Sequence, residues 1–187
     1  MMLLEIERHL FTVDRYHQMI DAGILTENDR VQLIQGDLIT MSPIGIRHAA
    51  CVNKLTRKLS QHLSEQAIVS VQNPIQLSDI SEPEPDVALL VYRDDYYANR
   101  LPQAADVYLI IEVSDSTLAF DRTVKLPMYA QAGIAEVWVV NLIDNAIEVY
   151  REPVAGKYTT RMRVAKNGEV TAVSFPQITF PVSDLIS

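Results

Sequence analysis

Two carboxylates lie beside apolar runs of the chain, where burial of a charge requires a partner. Asp86 begins the run "PDVALLVY", and Glu112 follows the unbroken run of "DVYLIIEV". A buried glutamate is rare unless it is paired or bound to a metal, because an uncompensated charge is costly in a low-dielectric environment. If the two runs are neighbouring strands, Asp86 and Glu112 can reach one cation, and the Val113 carbonyl can supply a further oxygen.

Oxygen ligands of this kind suit Mg²⁺, or Mn²⁺ in its place, and the chemistry of a metal-dependent hydrolase. Such an ion polarises a phosphoryl oxygen and lowers the pKa of its bound water. Lys125 is the candidate for a cation beside it. We expect a helix over about residues 123–132, capped by Thr123, with Pro127 near its start and Gly133 after its end. Lys125 would then lie in the first turn, where the macrodipole disfavours a cation and nearby negative groups would compensate.

Each of these residues also has a structural interpretation. Asp86 can simply cap the turn that enters its strand. Glu82 and Glu84 share its face in an extended segment, so they are alternative ligands or an acidic loop; Asp86 is preferred because it alone is attached to the buried strand. Glu112 can form an ion pair with Lys125, and Lys125 alone can be a solvated side chain.

A histidine lies on the apolar face of a long helix predicted between Pro43 and Gln66. The residues at helical spacing are His48, Val52, Leu55, Leu59 and Leu63. His48 should therefore face the sheet, either as a site residue or as a hydrogen-bonded core histidine. On the other side, Lys54, Arg57 and Lys58 either contact phosphates or form a solvated face.

The hydrophobic pattern predicts the order of the elements that position these residues. The core order is helix, strand, strand, strand, helix, strand, preceded by a short helix from Thr12 to Gly23 and a hairpin at Gln35-Gly36. A strand-rich region with turns at Ala155-Gly156 and Asn167-Gly168 follows. Trp138 and Tyr129 are expected to pack in the core. With no long linker or repeat, the sequence predicts one mixed α+β domain over residues 1–187.

Composition narrows the classes of protein. The chain of 187 residues has a net charge of −8, which opposes non-specific nucleic-acid binding unless a local basic groove or bound cations reverse the field. The single cysteine, Cys51, suits a reducing cytoplasm, and neither a membrane-spanning stretch nor a secretory signal is expected. The sequence has no Gly-rich phosphate loop, zinc spacing or serine-nucleophile motif.

Three segments carry a family resemblance that runs from Phe11 to about Tyr150. They are "MSP" at Met41 followed by His48, "PDVALL" ending at Leu90, and "IIEVSDSTLAFDRTVKLPMYAQAGIAEVWVV" ending at Val140. The chain resembles the Uma-type family of "putative restriction endonucleases", a domain family of unknown function that is similar to the PD-(D/E)xK nuclease superfamily. That superfamily has the core order predicted above.

The resemblance implies a role for particular residues. It makes Asp86 and Glu112 metal ligands, and it moves the superfamily's lysine from position 114, here Ser114, to Lys125. Asp121 matches a family position with a capping or orienting role. Gln32 is a departure, because the family often has Glu there, and an amide can ligate a metal but carries no charge and cannot act as a base.

Three hypotheses about function follow. The first is a Mg²⁺-dependent endonuclease that hydrolyses DNA, with Lys125 orienting the attacking water or stabilising developing charge. The second is a nuclease-like module without catalysis that binds nucleic acid or a protein. The third is a homodimer built through the C-terminal strands "VYREPVAGKYTTRMRVA", whose edge would otherwise be exposed.

Overall fold

The structure, a computed structural model, describes residues 8–26 and 28–186. Its helices and strands are α1 (Val13–Asp21), β1 (Val31–Ile34), β2 (Asp37–Thr40), α2 (Ile46–Leu63), β3 (Ala67–Val71), β4 (Val87–Val91), β5 (Val107–Ser114), α3 (Leu118–Phe120), α4 (Leu126–Gln131), β6 (Glu136–Asn141), β7 (Ala146–Val154), β8 (Lys157–Ala165), β9 (Glu169–Thr171), β10 (Thr179–Pro181) and α5 (Val182–Leu185). Within these ranges no helix is long and apolar enough to cross a membrane. Most of the N-terminal segment considered for a secretory signal lies outside them.

A six-stranded mixed sheet forms the centre of the fold, in the order β3-β4-β5-β6-β7-β8. All neighbours are antiparallel except β5 and β6, whose parallel pairing requires a crossover, and the helical segment between them supplies it. From α2 to β6 the chain runs helix, strand, strand, strand, helix, strand. The predicted mixed α+β fold with this core order is confirmed, as are the hairpin before it and the β region after it.

Apolar layers cover both faces of the sheet. One layer contains the side chains of Val52, Leu55, Leu59 and Leu63 on α2, which are buried as their helical spacing predicts. The other contains α4 and its neighbours. Strands β4, β5 and β6 lie between these layers, which explains why they are apolar almost throughout.

The helical segment before β6 begins earlier than the sequence suggests. It starts at Leu118, passes through a π-helical turn at Asp121–Lys125 and ends at Gln131; residues 118–131 are called the composite helix below. Thr123 is therefore no cap, and its hydroxyl donates to the Ala119 carbonyl (2.7 Å). The prediction that Lys125 lies in a first turn was wrong, so the macrodipole argument does not apply to it.

Pro127 accounts for this difference. It has no N–H to donate to the preceding turn, which is why the sequence pattern favoured a helix that starts just before it. In the structure the helix instead widens ahead of Pro127, with the Leu126 N–H donating to the Asp121 carbonyl in π-helical spacing. Such π-turns occur frequently at functional sites.

The basic side of α2 contacts the C-terminal helix. Lys54 donates to the Ile186 carbonyl (2.7 Å) and Lys58 to Asp184 (2.7 Å), while Arg57 is exposed. Two of these three cations therefore hold α5 against α2, a role that neither sequence interpretation included.

Candidate active site

One cleft of about 1250 Å³ opens at the carboxyl end of β5, between the β1–β2 hairpin, the start of α2 and the composite helix. All seven residues singled out from the sequence line it: Gln32, His48, Asp86, Glu112, Val113, Asp121 and Lys125. The fold thus brings together side chains that lie far apart in the sequence. The roles given to them stay predictions.

Asp86 and Glu112 lie beside each other across two strands. Val87 of β4 and Ile111 of β5 are the last paired residues at this end of the two strands, and Asp86 and Glu112 are the residues next to them in sequence. Besides burial, the charge of Asp86 raises the pKa of Glu112, which agrees with a short separation. The Val113 N–H also donates to Asp86 Oδ2 (2.8 Å), which fixes the aspartate against β5.

Glu112 is a buried carboxylate held by two donors. Its side chain is 3% exposed, and its Oε1 accepts from Lys125 Nζ (2.9 Å) and from the Tyr129 hydroxyl (2.5 Å). Burial raises the pKa of Glu112 to about 7; Lys125 opposes this rise, and the charges of Asp121 and Asp86 add to it. Burial lowers the pKa of Lys125, but the surrounding carboxylates outweigh it and the pKa is raised, so the lysine stays protonated.

Asp86 and His48 form a second pair in the cleft. His48 Nε2 lies 3.0 Å from Asp86 Oδ1, to which the Gln72 amide also donates (3.3 Å). Burial raises the pKa of Asp86, but the contacts with His48 and the Val113 N–H outweigh it and lower the pKa. The hydrogen bond to Asp86 raises the pKa of His48 against the effect of burial. Both shifts favour an imidazolium–carboxylate pair.

Asp121 ties the composite helix to β5. Its Oδ2 accepts from the hydroxyls of Ser114 (2.7 Å) and Thr117 (2.8 Å), and its side chain is buried. It lies inside the composite helix, so of its two predicted roles the geometry supports orienting over capping. Ser114 is fully buried, and its hydroxyl donates to Asp121.

Gln32 contacts the acidic segment ahead of Asp86. Its Oε1 accepts from the Glu84 N–H (3.3 Å), so it fixes the main chain of a cleft-lining residue. Burial raises the pKa of Glu84, although Arg30 opposes this. Glu82, the other alternative ligand, is buried and pairs with His17 (2.8 Å) outside the cleft lining.

Two cleft contacts were missed in the sequence. Tyr129 was assigned to the core alone, and it is fully buried there, but its hydroxyl also donates to Glu112. The signal was available, because Lys125 and Tyr129 are four residues apart on one helix and share a face. Gln72 has no comparable signal, since it reaches Asp86 from the end of the neighbouring strand β3.

The oxygen atoms in the cleft are suited to an ion such as Mg²⁺ that keeps several waters, and less suited to an ion held by protein ligands alone. Across residues 8–26 and 28–186, no three His, Cys, Asp or Glu side chains converge closely enough to hold a metal by themselves. Mg²⁺ usually takes one or two carboxylates and keeps several waters. Asp86, Glu112 and the Val113 carbonyl match that requirement, and both hydrogen bonds to Glu112 use Oε1, so Oε2 remains for a further contact.

Comparison with known proteins relates the chain to a protein family and to a solved structure. A family model, Uma2, with the description "Putative restriction endonuclease", matches residues 13–183. The chain is also similar in fold to a solved structure from Anabaena variabilis ATCC 29413, titled as a putative nuclease belonging to DUF820. The TM-score is 0.73 at 16% identity, over 94% of this chain and 97% of that chain. No curated protein matches.

Proposed function

The chain belongs to the Uma2 family, and from this premise we propose that the cleft is a metal-dependent nuclease site that hydrolyses phosphodiester bonds of DNA. The observation that carries the proposal is the buried Glu112–Lys125 pair, with Asp86 held against the same end of β5 by the Val113 N–H. At this end of the central sheet, two carboxylates can hold a cation, and the buried ammonium group beside them can stabilise a negatively charged phosphate.

Asp86, Glu112 and the Val113 carbonyl are the groups that would hold Mg²⁺ or Mn²⁺. When bound, such an ion polarises a phosphoryl oxygen and lowers the pKa of a water molecule. The protein contributes rigidity: Asp86 is fixed by His48 and the Val113 N–H, and Glu112 by Tyr129 and Lys125.

In this proposal Lys125 acts on the phosphate itself. Its ammonium group is buried, and its raised pKa keeps it charged. A preorganised cation in a site of low dielectric stabilises negative charge that develops on an oxygen, or orients a water for attack. Asp121 fixes the composite helix to β5 through Ser114, and so positions Lys125.

A second candidate function is a module that uses the cleft for binding without catalysis. Gln32 favours it, since an uncharged amide stands in the cleft wall where the family often has an acid. This alternative predicts no affinity for Mg²⁺ or Mn²⁺ at the Asp86–Glu112 pair.

The homodimer stays a proposal beside either function. In the described sheet β8 has β7 on one side and no strand on the other, so its outer edge is available for pairing. Sedimentation at micromolar concentration that shows only monomer would rule it out.

A cleavage assay separates the first two functions. The wild type is incubated with DNA, and in parallel with RNA, in Mg²⁺, Mn²⁺ or a chelator, alongside Glu112→Gln and Lys125→Ala. Asp115→Asn is the matched control, because Asp115 lines the cleft but is half-exposed and paired with Arg47 at 3.9 Å. We expect metal-dependent DNA cleavage that survives in the control and is lost in the other two variants. Unchanged cleavage by Glu112→Gln would contradict the assignment.

A further inference from the structure

A second buried carboxylate lies outside the cleft, at Glu148 in β7. Its side chain is fully buried, and four side chains donate to it. Arg122 donates to both carboxylate oxygens, Arg161 to Oε2 (3.0 Å), the Tyr150 hydroxyl to Oε2 (2.6 Å) and Asn141 to Oε1 (3.3 Å). Glu148 therefore fixes two arginines that belong to different elements, the composite helix and the edge strand β8.

The two arginines retain hydrogen-bonding capacity after binding Glu148. A guanidinium group carries five N–H donors in a rigid plane that matches phosphate geometry. Within the described residues Arg122 uses only Nε and one terminal nitrogen, and Arg161 uses one. Their side chains are 35% and 56% exposed. Arg161 also lies over the Tyr150 ring at 5.5 Å, which further restrains its orientation.

Strand pairing places this arginine pair beside the cleft. Glu112 pairs with Val139 of β6, and Val139 pairs with Glu148 of β7. Two strand spacings therefore separate the two glutamates, a distance of about 10 Å. That is roughly the axial rise of three nucleotides along one strand of DNA. Arg122 itself lies three residues before Lys125 in the composite helix.

The same row continues outward with a third arginine. Arg163 of β8 pairs with Glu148, its side chain is 53% exposed, and its guanidinium lies 3.3 Å from Asp144. Three arginines thus lie on one side of the cleft against two carboxylates, in a chain whose net charge is −8. This is a local reversal of the overall charge at the place where a substrate strand would leave the cleft.

We propose that Arg122 and Arg161, held in place by Glu148, form a binding site for a backbone phosphate of the nucleic-acid strand whose scissile bond lies in the cleft. The inference rests on the proposed function and adds the path of the substrate. Glu148 acts as the preorganising group, since a buried bidentate anchor lowers the entropy cost of presenting two long side chains. Contacts of this kind position the backbone without reading sequence.

The test is DNA binding measured by fluorescence anisotropy in a chelator, across a series of salt concentrations. The variants are Arg161→Gln and Arg122→Lys; the lysine keeps the charge but loses the bidentate geometry. Arg93→Gln is the matched control, because Arg93 is 37% exposed and paired with Asp95 in the same way, at the opposite end of β4. Circular dichroism checks that each variant is folded.

We expect Arg161→Gln to weaken binding several-fold and to reduce the slope of log K against log salt by about one, while Arg93→Gln matches the wild type. Wild-type affinity and slope in both Arg161→Gln and Arg122→Lys would overturn the inference, as would a wild type that does not bind DNA.

The cleavage assay distinguishes this failure from that of the nuclease proposal. Metal-dependent cleavage with arginine variants that bind like the wild type would overturn the phosphate site alone. Arginine-dependent binding by a wild type that cleaves nothing in Mg²⁺ or Mn²⁺ would support the phosphate site and refute catalysis.

Discussion

Glu112 and Glu148 are two buried glutamates in neighbouring parts of one sheet, and they are surrounded by different charges. Each accepts from a tyrosine and from a cation of the composite helix. Glu148 has a second arginine, Arg161, and an asparagine as further donors, and its pKa is about 2, since the donors together outweigh the effect of burial. Glu112 has one lysine, and its pKa is about 7, because burial dominates and Asp86 and Asp121 add to it.

The difference lies in whether neighbouring cations balance the negative charge of each glutamate. The charge of Glu148 is balanced within the protein, so the residue is part of the framework. Glu112 has fewer cations than carboxylates around it, and a second cation would lower the free energy of its charged form. In the proposed function, a divalent ion supplies that second cation.

Replacing Glu148, whose charge is balanced within the protein, should have the largest effect on the free energy of unfolding. Glu148→Ala leaves Arg122 and Arg161 without their common acceptor. Because both arginines are partly exposed and can be solvated, we expect a loss of about 3 kcal/mol, at the low end of the cost of breaking one side of a fully buried ion pair. Urea unfolding of the variant and the wild type measures this. The comparison fails if the loss is under about 1 kcal/mol, the range of an exposed pair.

Replacing Glu112, whose charge is not balanced by neighbouring cations, should instead have its largest effect on the rate of cleavage. Glu112→Gln keeps the size of the side chain and loses its charge, and we expect metal-dependent cleavage to fall at least about 100-fold, or roughly 2.7 kcal/mol of barrier. Single-turnover rates on DNA check this. Asp115→Asn should cleave within about two-fold of the wild type, and equal losses in both variants would mean that general cleft charge, not Glu112, is responsible.

The two glutamates should also give pH dependences of opposite sign in the metal-free protein. The folded pKa of Glu148, about 2, is below its ordinary 4.5, so its stabilisation is present above pH 4.5 and is lost as pH falls towards 2. The folded pKa of Glu112, about 7, is above 4.5, so the unfolded chain ionises first and stability falls as pH rises from 4.5 to 7.

Urea midpoints in a chelator at a series of pH values measure both effects. The pKa of His48 is raised and that of Asp86 is lowered, so both groups also contribute to the pH dependence, and the informative quantity is the difference between variant and wild type. Glu112→Gln should remove part of the decline between pH 4.5 and 7. A decline identical to that of the wild type would show that Glu112 is not the residue that ionises there.

The tyrosines that donate to the two glutamates allow the same comparison with smaller expected changes in stability. Tyr129→Phe removes one of two hydrogen bonds to Glu112, and Tyr150→Phe removes one of several to Glu148. A hydrogen bond to a charged group contributes roughly 1.5–3 kcal/mol. We expect Tyr150→Phe to cost less than Tyr129→Phe, because Arg122, Arg161 and Asn141 remain. Thermal unfolding of both variants decides this, and the reverse order would contradict it.

Much of this arrangement could be predicted from the sequence. Continuous apolar runs identified the central strands, helical spacing placed His48 towards the sheet, and the motifs gave the family, which the family match confirms. The start of the composite helix was missed because Pro127 is a strong local signal, and the π-turn that accommodates it depends on packing against β5. The Glu148 cluster was missed because Arg122 lies just before the helix predicted from Thr123, and Arg161 lies in a segment with an ordinary strand pattern.

The smallest expected effect concerns Gln32. Gln32→Glu adds a carboxylate to the wall of the cleft, and we expect Mn²⁺ affinity to rise several-fold. The metal-free variant should lose some stability, because position 32 is buried beside Glu84, where a further negative charge is costly. Calorimetric titration checks this. An unchanged or weaker affinity would mean that position 32 is too far from the ion to contribute.

We propose above all that a divalent ion binds to Glu112 and not to Glu148. Calorimetric titration of Mn²⁺ into metal-free wild type and Glu112→Gln tests it most directly, since it requires no knowledge of the substrate. We expect a saturable heat of Mn²⁺ binding in the wild type and in Asp115→Asn, and none in Glu112→Gln. Equal binding by the wild type and Glu112→Gln would contradict it.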